Sequence, residues 1–289
     1  MASPLRWLAP LLAVLITGCG KPHPVDARPA LWRVVDQDTT IWLFGSIHAL
    51  PPGVKWQTPV VERAIAAADT LILEVAPADA GAARAEFLAA AEQDGLPPLR
   101  ARVAAADRGP LERGIARAGL APESLDGLKT WAAALTIGAA AGRREDASGT
   151  DGVEPVLTAR FAGRAIGALE TRSGQFAGFD RLPEASQRTL LLQATEEARN
   201  PAGGYARLLK AWAAGDEPAL AATLRPVLDD APIRRTLITD RNRRWARAIE
   251  RRMARPGQVF VAVGAGHLVG GDSVVALLRA RGWKVTRIE

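Results

Sequence analysis

The chain has 289 residues, 48% hydrophobic and 24% charged, with 27 Gly and 20 Pro. That balance excludes a disordered, collagen-like or fibrous protein and leaves ample material for a buried core in one large or two small domains. The net charge is +6, but 32 of the 37 cations are Arg and 57 residues are Ala, a bias expected of GC-rich coding DNA rather than of a nucleic-acid surface.

Nine Arg against Asp240 and Glu250 fall within residues 231–258, so the basic charge belongs to one helix and the rest of the chain is near neutral. Aromatic residues are 5% of the chain, too few for an evident base-stacking surface. No nucleic-acid partner is expected.

Residues 1–18 read as a signal peptide. Arg6 precedes an apolar stretch, Leu8–Ile16, that is too short for the ~20 residues a bilayer span needs. It ends in Ile16-Thr17-Gly18-Cys19, which resembles a lipobox, and Cys19 is the only cysteine. A lone Cys forms neither a disulfide nor a Cys-rich zinc site; it fits a lipid anchor. Gly20 follows rather than Asp, so by resemblance to other lipoproteins the expected place is the outer membrane, facing the periplasm. Residues 19–30 form a Pro-rich tether.

The folded part is expected from Leu31 as one α/β domain. Residues 31–35 and 40–44 read as a hairpin around Asp36-Gln37-Asp38. Thr58 caps a helix over 59–68 with Pro59 at its first position, and 70–75 form a strand. Residues 81–145 are an Ala- and Leu-rich helical insertion, in which 131–141 is apolar all round and hence buried. A helix over 154–161 leads to a strand at 165–169. Residues 183–227 are helical, 233–255 form one long Arg-rich helix, and the chain closes with strand 258–263, helix 272–280 and strand 283–288.

An internal repeat lies within this order. Strand, Gly45-x-x-His48, helix and strand recur as strand, Gly264-x-x-His267, helix and strand. Both are βαβ units, which give parallel strands and right-handed crossovers, so the predicted fold is α/β with a mixed sheet. Functional groups of parallel sheets gather at the carboxyl ends of the strands. His48 and His267 leave two such ends, and Glu74 and Glu170 close two others.

Two imidazoles and a carboxylate are a frequent open-site ligand set for a divalent transition metal of the Mn, Co or Zn class. His48, His267 and Glu74 are the candidate ligands, with Glu170 as a general base or a group that orients a ligand. The glycine before each His is expected to let the backbone turn sharply off the strand. No Gly-x-Ser-x-Gly elbow and no phosphate-binding Gly-rich loop with Lys accompanies them.

The segments LFGSIH (43–48), LILEV (71–75), GTDG (149–152), GALETRSGQ (167–175), Arg241-Asn242 and VGAGHLVG (263–270) together resemble the TraB/GumN family. That family is related to the Tiki metal-dependent proteases and more distantly to the erythromycin esterases. The resemblance implies paired Gly-x-x-His repeats, a helical insertion and a hydrolase-like site at His48, Glu74 and His267. It adds Asp151, Glu170, Gln175, Arg241 and Asn242 as family positions. Arg241 and Asn242 suit a catalytic role at a developing oxyanion; Arg241, Gln175 and Asp151 suit substrate binding.

The resulting expectation is a lipid-anchored envelope metallohydrolase, most plausibly a peptidase. Two alternatives remain: a non-catalytic protein that sequesters a peptide, and a metal-independent esterase-like hydrolase using His/Glu acid–base chemistry.

Overall fold

The computed structural model describes residues 25–144, 147–200 and 203–289. The expected signal peptide over 1–18 and the candidate lipidation residue Cys19 lie outside the described residues. Among the described residues eight strands are present: β1 (Val25–Asp26), β2 (Leu31–Val35), β3 (Thr39–Ser46), β4 (Val54–Lys55), β5 (Thr70–Val75), β6 (Ala165–Glu170), β7 (Gly257–Gly264) and β8 (Val285–Arg287).

The helices are α1 (Pro59–Ala67), α2 (Ala80–Ala91), α3 (Ala105–Ala118), α4 (Thr130–Arg144), α5 (Val153–Arg160), α6 (Arg172–Asp180), α7 (Glu184–Arg199), α8 (Tyr205–Ala213), α9 (Glu217–Leu228), the short α10 (Ala231–Ile233), α11 (Asp240–Met253) and α12 (Val274–Ala280).

Six strands form one mixed sheet in the order β6-β5-β7-β3-β2-β8. The β2 strand runs antiparallel to both of its neighbours, and the remaining pairs are parallel. The α/β class and the mixed sheet are therefore as expected. The β7 strand of the second repeat sits between β3 and β5 of the first. The repeats interleave, and this puts their two Gly-x-x-His turns on neighbouring strands.

Side chains alternate along the central strands. On one face Trp42, Phe44, Phe260 and Ala262 pack under α1, α5, α8 and α9. On the other, Ile41, Leu43, Val259, Val261 and Val263 pack under α11 and α12 through Trp245, Ile249, Val275 and Leu278. A third core joins α3 and α4 of the insertion to α7, around Trp131, Leu111, Ile115 and Leu191. The insertion thus shares its core with the later helical run.

Two local expectations change and a third is refined. The fold takes hold of the chain before Leu31: β1 pairs with β4, and Arg28 N–H donates to Ala213 O at 2.7 Å, so residues 25–30 of the expected tether belong to the fold. The α6 helix, capped by the Thr171 hydroxyl on Gly174 N–H, fills a segment left without an element. The long basic helix runs on as expected, but its first part is a π-helical turn over Arg234–Thr239 that continues directly into α11. Such turns are frequent at functional sites, and this one ends just before Arg241. The exposed face of α11 carries Arg243, Arg244, Arg247 and Arg251, whereas Arg241 is buried.

Candidate active site

The β3 and β7 strands pair in register, with Gly45 opposite Val263 and Ser46 opposite Gly264. Their glycines serve close approach rather than a special turn. Neither has a left-handed φ, and Gly264 is at φ −48°. A Cβ on Gly45 would lie 3.0 Å from the Ala265 Cα; one on Gly264 would lie 3.1 Å from Glu74 Oε1, 3.7 Å from His267 Cδ2 and 4.0 Å from His48 Nε2. One empty Cβ position therefore marks where both imidazoles and Glu74 converge.

His267 is fixed from behind by α11. The Asn242 amide donates through Nδ2 to the Asp272 carbonyl at 2.8 Å, which turns its Oδ1 toward the ring, 2.6 Å from His267 Nδ1. That oxygen only accepts, so Nδ1 carries the proton and the Nε2 lone pair faces forward. There it receives Arg241 Nη1–H at 3.1 Å. Burial pushes the His267 pKa down to about 3, and the nearby Arg241 acts in the same sense against the opposing pull of Glu74; the ring is neutral.

Arg241 organises the acidic groups. Its Nη2 donates to Glu74 Oε2 at 2.6 Å and Glu170 Oε1 at 2.7 Å, its Nε to Glu170, and its Nη1 also to Leu237 O at 3.1 Å. The guanidinium lies over the Trp245 ring at 4.6 Å. Gln175 Nε2 donates to Glu74 Oε2 and Glu170 Oε1 at 3.2 and 3.3 Å, and Gly264 N–H donates to Glu74 Oε1 at 2.7 Å. Burial works to raise the Glu74 carboxyl, but the neighbouring His267, Arg241 and His48 and the Gly264 N–H outweigh it and hold it below the usual range.

His48 differs. Its side chain is 70% exposed at the mouth of the site, and its Nδ1 lies 2.7 Å from Glu154 Oε1. The Ser46 hydroxyl donates to the same oxygen at 2.6 Å. Attraction to Glu154 pushes the His48 pKa up to about 9 against its desolvation. Burial opposes ionisation of Glu154, yet the His48 charge and the two hydrogen bonds keep its carboxyl below the usual range.

Sequence reasoning missed Glu154. Its only signal is its place just after GTDG, in the first turn of α5.

A cleft of about 530 Å³ opens beside these groups, lined by His48, Glu74, Glu154 and Gln175 at one end and by Leu73, Pro77, Ala78, Pro155 and Ala159 along its walls. The structure thus brings together His48, Glu74, Glu170, Gln175, Arg241, Asn242 and His267. Asn242 is fully buried behind His267, so it orients the ring and does not reach the cleft. Asp151 stands exposed on the Gly149–Asp151 turn and is not part of the lining.

The donors suit a divalent ion in kind. Each imidazole has its Nδ1 occupied by a side-chain oxygen and its Nε2 turned inward, as in metal-binding histidines. The 3.8 Å between His267 Nε2 and Glu74 Oε1 is compatible with two ligands each ~2.0–2.2 Å from one ion. Among the described residues, no group of three or more His, Cys, Asp or Glu has the spacing to hold an ion, and Arg241 Nη1 occupies the His267 lone pair.

Comparison with protein-family models matches residues 30–287 to the TraB/PrgY/gumN family. No curated protein and no solved structure matches the chain. The family match spans nearly the whole described fold, and the chain belongs to that family.

Proposed function

We propose that this member of the TraB/PrgY/gumN family is a hydrolase of peptide bonds that works at the cell envelope, anchored by a lipid on Cys19 to the outer membrane and facing the periplasm. The observation that carries the reading is the meeting of two Nδ1-held imidazoles and an ionised carboxylate around Gly264, at the head of an apolar-walled cleft.

In this reading His48, His267 and Glu74 would hold a Mn, Co or Zn ion, whose chemistry is to lower the pKa of a bound water toward ~7 and supply a nucleophile. The chain's own groups do the rest. Asn242 keeps the His267 lone pair forward. Arg241 neutralises Glu74 and Glu170 and steadies His267; its N–H groups are all engaged with these residues and Leu237 O, so it shapes the site rather than donating to an oxyanion. The walls at Leu73, Pro77, Ala78 and Pro155 receive apolar side chains and exclude water.

A second reading has a specific observation in its favour. Arg241 already fills the place between His267 Nε2 and Glu74, which suits a metal-free acid–base hydrolase. Metal content and peptide cleavage of the purified full chain, with and without exhaustive chelation, separate the two. Cleavage that is lost on chelation and returns with Mn, Co or Zn supports the first. Cleavage that survives chelation supports the second. Recovery of every peptide intact from a tight complex overturns both and leaves a sequestering protein. His48→Ala and His267→Ala are each expected to abolish metal retention; unchanged metal in both would falsify the metal reading.

A further inference from the structure

We propose that Glu154 is a positioning residue: it grips His48 through Nδ1, and the turn that precedes α5 is built to deliver it. The proposal rests on the reading of the cleft as a hydrolytic site and adds to it a group outside both repeats.

The delivery is visible in the backbone. Ser148 and Leu50 exchange N–H···O bonds at 3.2 and 3.0 Å, and Val153 N–H donates to Ile47 O at 3.1 Å. The loop bearing His48 is thus pinned on both flanks by one segment, residues 148–153. Gly152 sits between these bonds, and a Cβ there would lie 2.1 Å from the His48 carbonyl oxygen. Only glycine permits this approach without displacement, and the approach seats the start of α5 against the loop that bears His48. Glu154 lies in the first turn of α5, where a carboxylate suits the helix N-terminus.

The grip itself is specific. A single oxygen, Glu154 Oε1, takes both His48 Nδ1 at 2.7 Å and the Ser46 hydroxyl at 2.6 Å. Ser46 is the last residue of β3, so the carboxylate ties the ring to the strand end. Glu154 Oε2 is buried with no hydrogen-bond partner, a cost that a surface-facing glutamate would avoid by turning outward. With Nδ1 held, Nε2 is the ring atom left to face Gly264 and the cleft. The free imidazole at this exposed position would otherwise sample several rotamers.

The test uses the full chain labelled with ¹⁵N-histidine, alongside Glu154→Ala, Glu154→Gln and His48→Ala. In the wild type, nitrogen–proton correlation is expected to show the His48 proton on Nδ1, slow to exchange. Glu154→Ala should lose that signal while the His267 signal persists, and its Co²⁺ affinity by calorimetry should fall ~10–100-fold, the range for partners that orient a ligand. Glu154→Gln keeps an acceptor oxygen and should retain the signal and most of the affinity.

A folded Glu154→Ala that keeps both the His48 Nδ1–H signal and wild-type Co²⁺ affinity overturns the proposal. Should Glu154→Ala fail to fold, Ser46→Ala with unchanged Nδ1–H exchange together with a signal-free Glu154→Gln would overturn it too. If the wild type binds no Co²⁺, the metal reading fails, and the nitrogen signals alone decide the role of Glu154.

Discussion

His48 and His267 end the same four-residue motif on paired strands, yet one side chain is 70% exposed with a carboxylate behind it and the other 7% exposed with an amide behind it. The carboxylate stabilises the charged ring, with a pKa pushed up to about 9; the buried site beside Arg241 stabilises the neutral one, pushed down to about 3. The repeated motif therefore sets two rings in one site, and the residues that hold Nδ1 divide their chemistry. His48 presents a proton and His267 a lone pair. A pair of identical motifs does not imply a pair of identical roles.

The sharpest way to break the buried half is Arg241→Ala. It leaves Glu74 and Glu170 without their shared cation in a buried setting, and loss of one partner of such a pair costs ~3–5 kcal/mol. Chemical denaturation should show that loss near neutral pH, with part recovered in acid as Glu74 takes a proton. Equal stability of variant and wild type would mean that the guanidinium does not anchor this half.

The exposed half has its own weak point in Gly152. An added methyl meets the His48 carbonyl, and overpacking of this kind costs ~1–3 kcal/mol. Gly152→Ala should lower the unfolding midpoint and displace His48 while leaving the His267 Nδ1–H signal in place. Gly45→Ala meets Ala265 at 3.0 Å and should cost less, because the clash is shallower. A Gly152→Ala protein with wild-type stability would remove the docked turn from the account.

Much of this comparison is legible in the sequence. The repeated Gly-x-x-His and the strand-end carboxylates Glu74 and Glu170 follow from local pattern, because strand period and exit point are local properties. The interleaving of β3, β7 and β5 is not local, and no periodicity encodes strand order. Glu154 was hidden because an acidic residue in a helix's first turn is ordinary and nothing in its neighbourhood names a histidine 106 positions earlier. The α6 helix, which carries Gln175, was hidden by Gly174 and Gly178, each a helix-weakening residue. The π turn before Arg241 leaves no compositional trace; the run reads as one α-helix until the backbone is seen.

Taken per pH unit, the smallest effects lie in the pH dependence of the chelated protein, and they should be lopsided. Unfolded histidine titrates near ~6.5. His267 is held at about 3 in the fold, so below ~6.5 the unfolded chain binds a proton that the native chain refuses. Stability then falls as pH drops from ~6.5 toward about 3, by at most ~1.4 kcal/mol per unit from this group.

His48 runs the other way. Its contribution is complete below ~6.5 and is lost as pH rises through about 9. Its ring is open to water, so screening keeps that loss within the ~0–1 kcal/mol of a surface ion pair. Denaturation midpoints across pH 4–10 should therefore give a steep acid limb, flattened by His267→Asn, and a shallow alkaline limb, flattened by His48→Asn. Equal slopes in the wild type would mean that the two rings share one environment, and the division of roles between the repeats would fall with it.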